Sequence, residues 1–188
     1  MFRKKSILIF LIIFLLNISS LYANEKLQII NSINNIETLK FDFVQISFEK
    51  EENGVCFLKR PHFLKCIYKN KNQKELIINK NNLVIYHKRY NKTYFFPVSK
   101  SYFVDILDKK KFENIILKGN LDLKDKFFEI TFSEDNKGKI TFFFHAGSFQ
   151  LSGWQITDQN NNLTIFKINN LNHNEDLDKK LFDIPSTN

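Results

Sequence analysis

Residues 41–69 of this chain, FDFVQISFEKEENGVCFLKRPHFLKCIYK, decide its fold. Apolar side chains in this stretch either alternate with polar ones or form short continuous runs, and charged residues and Pro61 separate the runs. Alternation with a period of two is typical of a strand with one buried face, and the separating residues favour turns. The stretch therefore predicts three consecutive antiparallel strands, near residues 41–49, 54–59 and 64–69.

The same pattern of short apolar runs recurs along most of the remaining chain. It predicts further strands near residues 74–79, 82–87, 92–96, 127–133, 138–145, 148–157 and 163–169. Short strands at such close spacing favour antiparallel meanders and a mainly β fold. The tail that begins at Asn169 is predicted to be a loop, and Leu181, Phe182 and Ile184 are expected to dock as a last short strand.

Two helical segments accompany the strands: one precedes them, and the other interrupts the series once. Apolar residues between Leu27 and Ile36 are spaced by three and four, which predicts an amphipathic helix over residues 24–38. After Pro97, Ser101 can cap a second helix. The apolar face of that helix comprises Tyr102, Phe103, Ile106 and Leu107.

A cluster of three lysines follows this second helix in the sequence. Lys109, Lys110 and Lys111 would complement the dipole at a C-terminal end, so we expect the helix to end there. Another short helix through Phe112 and Ile116 is expected to continue from it. The absence of Pro-rich or Gly-rich linkers and of internal repeats indicates one domain.

The N-terminal residues have the layout of a secretory signal peptide. Three basic residues at 3–5 precede an uninterrupted apolar run over residues 7–16, and a small residue, Ala23, follows a more polar stretch. As a helix, this run would rise only about 15 Å, roughly half the hydrocarbon core of a bilayer. We therefore expect residues 1–23 to be a signal peptide and residues 24–188 to form a single exported domain.

The chain is basic, with 28 Lys and Arg against 20 Asp and Glu and a formal net charge of +8. Removal of the three basic residues at 3–5 would lower the net charge to +5. A basic surface suggests attraction to anionic lipid or to an acidic partner. A coding bias toward Lys, Asn, Ile and Phe explains the same composition equally well, and export disfavours nucleic acid as a partner.

No set of residues in the sequence indicates catalysis or metal binding. Ser148 follows Gly147 but lacks the second glycine of a nucleophile elbow. No histidine is spaced from another histidine or a cysteine as metal ligands would be, and the five glycines are too scattered for a phosphate-binding loop. We therefore predict a protein that is not an enzyme and needs no cofactor or metal.

Two cysteines, Cys56 and Cys66, lie symmetrically about Pro61. If residues 59–63 form a turn, the two side chains stand opposite each other on neighbouring strands. An oxidising compartment favours a disulfide between them, although a directly opposed pair is geometrically tight. A disulfide and two buried thiols both remain open at this point.

Two aromatic segments are unusual. Residues 87–96 interleave cations with aromatic rings, as single-strand nucleic-acid platforms do, although a hairpin with solvated cations explains them better. Phe142, Phe143 and Phe144 place rings on both faces of one predicted strand. One face can pack on the core, whereas the other needs cover from a helix, a partner or an apolar ligand.

The order of elements and several short motifs resemble the LolA family of periplasmic lipoprotein carriers. The motifs that carry the resemblance at the start of the domain are Leu39, Phe41, Phe43 and Gln45, then Gly54 with Lys59, Arg60 and Pro61, then Tyr68. Those near its end are Leu151, Gly153, Trp154, Ile156 and Asp158, then Phe182, Asp183, Ile184 and Pro185. The Lys-Arg-Pro turn also resembles LolB, the outer-membrane receptor, but the lipid-modified cysteine of that receptor has no counterpart near Ala23.

The resemblance implies an α+β, mainly β fold: an open, incomplete antiparallel β half-barrel with a helical lid over an apolar cavity. The lid would comprise helices near residues 25–38 and 101–117, and Arg60 would hydrogen-bond to it as a latch. The residues expected to form the acyl-chain cavity and lid are Ile29, Ile33, Ile36, Phe43, Leu58, Leu64, Tyr68, Phe103, Ile106, Leu107, Phe142 and Phe144.

The resemblance also implies a function. A carrier of this family would bind the acyl chains of lipoproteins released by an inner-membrane transporter and deliver them to an outer-membrane receptor of the LolB type, as a monomer. One alternative is a LolB-like or sensor-type envelope domain that binds a lipid or a protein segment. A secreted esterase without a recognisable motif ranks below both.

Overall fold

The computed structural model describes residues 24–98 and 101–186, so the predicted signal peptide lies outside the described residues. Within them the protein is mainly β, with eleven strands in one antiparallel sheet. Strands β1 to β11 are Thr38–Ser47, Lys50–Lys59, Phe63–Tyr68, Lys74–Asn79, Asn82–His87, Lys92–Pro97, Asn120–Lys124, Phe127–Glu134, Gly138–His145, Leu151–Thr157 and Leu163–His173.

The sheet order is β6-β5-β4-β3-β2-β1-β11-β10-β9-β8-β7, so β6 and β7 are its two ends and do not pair with each other. The sheet is therefore open and does not close into a barrel, as predicted. Its middle is the pairing of β1 with β11, which brings the beginning and the end of the domain together.

Two irregularities bend the sheet near this middle. The register of β1 against β11 shifts between Lys40 and Asp42, where Asn170 adopts a positive φ of 48°. The register of β10 against β9 shifts at Gly153, whose φ is 153°. A Cβ atom on Gly153 would lie 2.2 Å from the carbonyl oxygen of Phe166, so only glycine fits. Bulges of this kind increase the local bend and twist of a strand, which supports the half-barrel shape.

Three helices accompany the sheet: α1 at residues 24–34, α2 at Tyr102–Leu107 and α3 at Lys109–Lys118. Ser101 caps α2, as expected, because its hydroxyl accepts a hydrogen bond from the Phe103 N–H at 3.1 Å. The prediction that Lys109, Lys110 and Lys111 complement the C-terminal end of α2 is wrong. Asp108 accepts a hydrogen bond from the Lys111 N–H and caps α3, so Lys109 begins the next helix and does not complement the end of α2. None of the helices in the described residues is long and apolar enough to cross a membrane.

The structure differs from the predicted strands at three places. Strand β7 was not predicted, because only Leu121 and Leu123 alternate in it and Leu123 is exposed. The tail predicted as a loop continues β11 as far as His173, since the opposite strand β1 supplies its hydrogen bonds. The expected strand at the C-terminus is a 3₁₀ helix, Lys179–Phe182, which Asp178 caps.

The concave face of the sheet carries a row of stacked aromatic rings. Trp154 stacks on Phe166 at 4.5 Å, Phe166 stacks on Phe43 at 4.7 Å, and Phe43 meets Tyr68 edge-on at 4.9 Å. Gly54 makes room for this row, since a Cβ atom there would lie 2.8 Å from the Phe43 ring. Cross-strand rings at these distances stabilise a sheet beyond the area they bury.

Candidate functional site

The three helices and the concave face enclose a cavity of about 350 Å³, which we call the main cavity. Its apolar wall comprises Ile33, Ile36, Leu39, Phe41, Leu58, Leu64, Phe103, Ile106, Leu107, Phe112, Leu151, Trp154 and Leu171. Polar side chains gather on one side, where most are exposed: Asn31, Ser32, Asn35, Ser148, Gln150, His173 and Asn174. The cavity is therefore apolar inside with a polar mouth, as ligand sites commonly are.

Many of the predicted site residues meet around this cavity. Those that line it are Ile33, Ile36, Leu58, Arg60, Leu64, Phe103, Ile106 and Leu107. They come from α1, the β2–β3 hairpin and α2, which are distant in sequence. Six further residues line the main cavity but were not predicted from the sequence: Leu39, Phe41, Phe112, Leu151, Trp154 and Leu171. Of these, Leu39, Phe41, Leu151 and Trp154 belong to the motifs that carry the family resemblance.

Five residues predicted for the cavity do not line the main cavity, and four of them lie in the core. Ile29, Phe43, Phe142 and Phe144 are at most 1% exposed and lie in the hydrophobic core. Helix α3 explains why Phe142 does not line the cavity. Its Phe112 packs edge-on against Phe142 at 4.9 Å and separates that ring from the cavity. The apolar face of β9 is thus covered by a helix of the same chain.

Tyr68 lines a second, smaller space of about 240 Å³, which we call the second chamber. Phe103 and Trp154 line both spaces, and their rings meet edge-on at 6.2 Å. The second chamber also has a polar end, where the Tyr68 hydroxyl donates a hydrogen bond to Gln45 at 2.7 Å. Burial raises the pKa of Tyr68, which keeps the hydroxyl neutral. The two aromatic rings therefore form the partition between two parts of one concave surface.

Arg60 places a cation in the wall of the main cavity. Its side chain is buried, and its Nη2 donates one long hydrogen bond, 3.4 Å, to the carbonyl oxygen of Ile106 in α2. The Nε and Nη1 atoms are buried and have no hydrogen-bond partner among residues 24–98 and 101–186. The guanidinium also lies 5.8 Å from the centre of the Phe112 ring. Arg60 thus contacts both α2 and α3, but most of its donors are unsatisfied.

The surroundings of Arg60 have opposing effects on the pKa of its guanidinium. Burial lowers the pKa of the guanidinium, while the carboxylates of Glu37 and Asp108 raise it. Arginine stays protonated in proteins because its intrinsic pKa is so high. The main cavity therefore has a fixed positive charge in its wall, and its lining includes no carboxylate among the described residues.

Helix α2 is attached firmly on its other side. The Tyr102 hydroxyl donates a hydrogen bond to the Gly138 carbonyl at 2.7 Å, and Asp105 pairs with Lys137 at 2.6 Å. Both side chains of this ion pair are about 10% exposed or less. Helix α2 is thus fixed to the β8–β9 hairpin.

Helix α1 buries apolar side chains in the core and is also held by polar side chains that donate to backbone oxygens. Lys26 donates to Leu117 and Gly119 at the end of α3, and Ser32 donates to Phe149 at 2.8 Å. At the other end of α1, Lys109 donates to the Asn34 carbonyl and pairs with Glu37. The helices α1, α2 and α3 therefore form one connected lid.

A disulfide fastens the hairpin that presents Arg60. Cys56 in β2 and Cys66 in β3 are direct cross-strand partners, and their sulfur atoms are bonded. The bond lies among the buried residues of the concave face. It connects the two strands on either side of the turn at Arg60.

Solved structures resemble the fold at low sequence identity. An uncharacterised conserved protein from Thermus thermophilus has a TM-score of 0.54 and 10% identity, covering 87% of this chain and 94% of that chain. A DUF1329 family protein from Desulfovibrio piger has a TM-score of 0.51 and 6% identity, covering 87% and 96%. Likeness at this level of identity shows a shared fold only.

Sequence comparison is more specific. The chain is 26% identical over 200 residues to the outer-membrane lipoprotein carrier protein of Francisella tularensis, covering 96% of this chain and 92% of that protein. Residues 34–185 match the family described as outer membrane lipoprotein carrier protein LolA. That match spans the strands, the lid helices α2 and α3, and Arg60. The chain therefore belongs to the LolA family of outer-membrane lipoprotein carrier proteins.

Proposed function

We propose that the protein is a periplasmic carrier that holds the acyl chains of lipoproteins in the main cavity during transfer across the periplasm. The observation that carries this proposal is the apolar cavity of about 350 Å³ beneath the lid, in a member of a family of lipoprotein carriers. Residues 1–23 would act as the signal peptide for export. No covalent step, metal or cofactor is needed, because the task is binding and release.

The chemistry of the cavity fits an acyl chain with a polar head. Hydrocarbon would contact the apolar wall, while the glyceryl and N-terminal groups of a lipoprotein would lie among the exposed polar side chains of the mouth, such as Asn35 and Gln150. The cavity is at the small end of ligand sites, which span roughly 300–1,000 Å³. A lipoprotein with several chains would therefore need the lid to move outward.

Release of the cargo requires that the carrier binds acyl chains less strongly than full burial of the hydrocarbon would allow. Burial of hydrocarbon yields about 0.8 kcal/mol per methylene, so a chain of roughly fourteen methylenes represents on the order of 11 kcal/mol. Several chains bound at full strength would exceed what reversible binding sustains. Displacement of the lid and the unneutralised charge of Arg60 would both subtract from this gain. Cargo would then remain transferable to a tighter acceptor.

The proposal names partners on either side of the periplasm. An inner-membrane lipoprotein-releasing transporter would load the carrier, and an outer-membrane receptor of the LolB type or an equivalent would unload it. The protein would act as a monomer. Mass spectrometry under native conditions of protein purified from the envelope tests the core of the proposal: we expect adducts with the mass of lipoprotein or acyl lipid. A bare protein with one stoichiometric protein partner would favour a regulatory envelope domain instead.

A pair of phenylalanines makes the site assignment testable. Phe103 lines the cavity, whereas Phe142 lies in the core beneath α3. Phe103→Ala should reduce the retention of a lipoprotein about tenfold and cost less stability than a core truncation, which costs about 3–5 kcal/mol. Phe142→Ala should show that full loss in chemical denaturation. Equal losses of stability with unchanged retention would show that Phe103 is ordinary packing.

A photo-crosslinker provides an independent readout of the same site. A benzophenone side chain at Phe103 should capture the lipid part of a bound lipoprotein after irradiation. The control is the same side chain at Leu123, which is 55% exposed on β7 and lies outside the main cavity. Adducts at both positions, or at neither while cargo is bound, would contradict the proposal.

A further inference from the structure

One strongly exposed aromatic surface has no role in the proposed cavity. It lies on strand β6 and the turn before it, and we call it the β6 surface: Lys88, Arg89, Tyr90, Lys92, Tyr94, Phe95 and Phe96. The exposed fractions of its rings are 54% for Tyr90, 47% for Tyr94, 66% for Phe95 and 45% for Phe96. Clustered exposed rings of this kind mark sites of interaction.

The rings lie on both faces of the sheet. In the part of the chain that the structure describes, strand β6 is an end of the sheet and pairs only with β5. Tyr94 is opposite Ile85, and Phe95 is opposite Val84. Because cross-strand partners point to the same face and successive residues point to opposite faces, Phe95 projects from one face and its two neighbours from the other. The edge of the sheet is thus an aromatic wedge.

The charge around this wedge is of one sign. Residues 76–104 contain four lysines and one arginine but no Asp or Glu. Lys88, Arg89 and Lys92 are exposed next to the rings. The partner of the β6 surface must therefore tolerate apolar rings and attract cations at the same time. An anionic phospholipid surface does both, since aromatic rings favour the interface and lysine and arginine favour its phosphates.

The concave side of the wedge leads toward the acyl site. Ile85, the cross-strand partner of Tyr94, lines the second chamber together with Leu76. That chamber ends at Phe103 and Trp154, which also line the main cavity. Apolar side chains thus run from the exposed edge to the cavity beneath the lid. Contact of this edge with a bilayer would place that path beside the hydrocarbon.

We propose that the β6 surface docks the protein reversibly on anionic phospholipid membranes, with the second chamber turned toward the bilayer. Phe95 and Phe96 enter the interface from the two faces of β6, and Lys88, Arg89 and Lys92 contact lipid phosphates. Docking is a property of the protein without cargo and goes beyond the proposed carrier function. It therefore stands or fails separately from acyl-chain binding.

Vesicle flotation of the purified protein without cargo tests this inference. We expect the protein to float with vesicles of equal parts phosphatidylglycerol and phosphatidylethanolamine, and not with phosphatidylcholine vesicles. Replacement of Lys88, Arg89 and Lys92 by Gln should weaken binding about a hundredfold, since each cation near the surface contributes about a factor of five. Added salt should weaken the wild type more than this variant.

The aromatic contribution has its own variants. Phe95→Ser and Phe96→Ser should each weaken binding about tenfold, because partial burial of a ring in the interface is lost. Phe48→Ser is the matched control, since Phe48 is 77% exposed on the turn between β1 and β2. The matched charge control replaces Lys110, Lys118 and Lys126, which are exposed elsewhere, by Gln. Neither control should reduce flotation by more than a small factor.

Three results would overturn the inference, once circular dichroism has shown that each variant is folded. One is absence of flotation with anionic vesicles under low salt. Another is an equal loss in the control variants, which would indicate nonspecific attraction by net charge. The third is a concentration-dependent dimer that Phe95→Ser abolishes, measured by light scattering, which would show that β6 pairs with a second copy of the chain.

Discussion

Helix α2 is attached to the sheet very differently on its two sides. Toward the β8–β9 hairpin, Tyr102 and Asp105 make short bonds of 2.7 Å and 2.6 Å to Gly138 and Lys137. Toward the β2–β3 hairpin, Arg60 makes one bond of 3.4 Å and leaves two nitrogens unsatisfied. The same helix therefore has one strongly attached side and one weakly attached side.

This difference predicts where the lid would open. The weak side faces the main cavity, whereas the strong side faces a hairpin that does not line it. Opening at Arg60 would give its unsatisfied donors access to water, so it loses one long hydrogen bond and recovers hydration. Opening at Tyr102 and Asp105 would break a buried ion pair. We therefore expect α2 to pivot on the β8–β9 hairpin and to open at Arg60.

The largest expected effect is on the strong side. Lys137→Met should lower the free energy of unfolding by about 3 kcal/mol, because Asp105 would stay buried with only Lys111 at 3.8 Å. Burial by itself would lower the pKa of Lys137, but hydrogen bonds to Asp105 and Glu134 raise it. Urea denaturation at neutral pH measures the loss.

A second ion pair on the surface is the matched control. Lys124 pairs with Glu129 at 2.7 Å, nearly the same distance, but the Lys124 side chain is 63% exposed. Exposed ion pairs contribute little to stability, so Lys124→Met should have little effect on the free energy of unfolding. If Lys137→Met were as mild as Lys124→Met, the strong side would not be a pivot.

The next effect concerns release of cargo on the weak side. Arg60→Leu replaces an unsatisfied cation in the cavity wall by an apolar side chain, which makes the cavity better for hydrocarbon and removes the bond to Ile106 in the closed, empty state. Loading should persist, while transfer of lipoprotein to an acceptor should slow by about tenfold. A transfer assay with purified loaded carrier and an acceptor membrane measures the rate.

Arg60→Lys separates charge from shape. It keeps a cation in the wall but loses the planar donor group, so its transfer rate should stay much nearer to that of the wild type. Transfer by Arg60→Leu at the wild-type rate would mean that the charge of Arg60 does not limit how tightly cargo binds.

The strong and weak sides also differ in how far the sequence predicts them. The period of two predicts most strands because each has a buried face, and it fails at β7, where only two leucines alternate. The family resemblance points to Arg60. The Asp105–Lys137 pair was not predicted, since its partners lie on a helix and a distant hairpin and no local pattern joins them.

The cavity residues also show that a local sequence pattern does not predict contacts between distant elements. A periodic pattern identifies which face of β9 is apolar, and Phe142 and Phe144 do point to the buried face. It does not tell which element covers that face, and α3 covers Phe142 where a ligand was expected. Trp154 is the opposite case, because it lines the cavity but was not predicted to do so. Its place in the cavity depends on the pairing of β10 with β9 and β11, although the family motif around it was a usable signal.

The smallest expected effect is on the Tyr102 hydroxyl, and its pH dependence identifies it. Burial, followed by the charge of Glu134, raises the pKa of Tyr102 to about 12. In the folded protein the neutral hydroxyl donates a hydrogen bond to Gly138. In the unfolded chain the pKa is about 10. The contribution of this group to stability is therefore complete below about pH 10 and is lost as pH rises toward 12, since the unfolded state releases the proton first. At neutral pH, Tyr102→Phe should lower the free energy of unfolding by about 1 kcal/mol, and the difference from the wild type should shrink across that alkaline range. Tyr94→Phe, at a half-exposed position on β6, is the control and should leave the free energy of unfolding unchanged. A difference between wild type and Tyr102→Phe that stays constant from neutral pH to about pH 12 would show that the hydroxyl does not attach α2 to the β8–β9 hairpin.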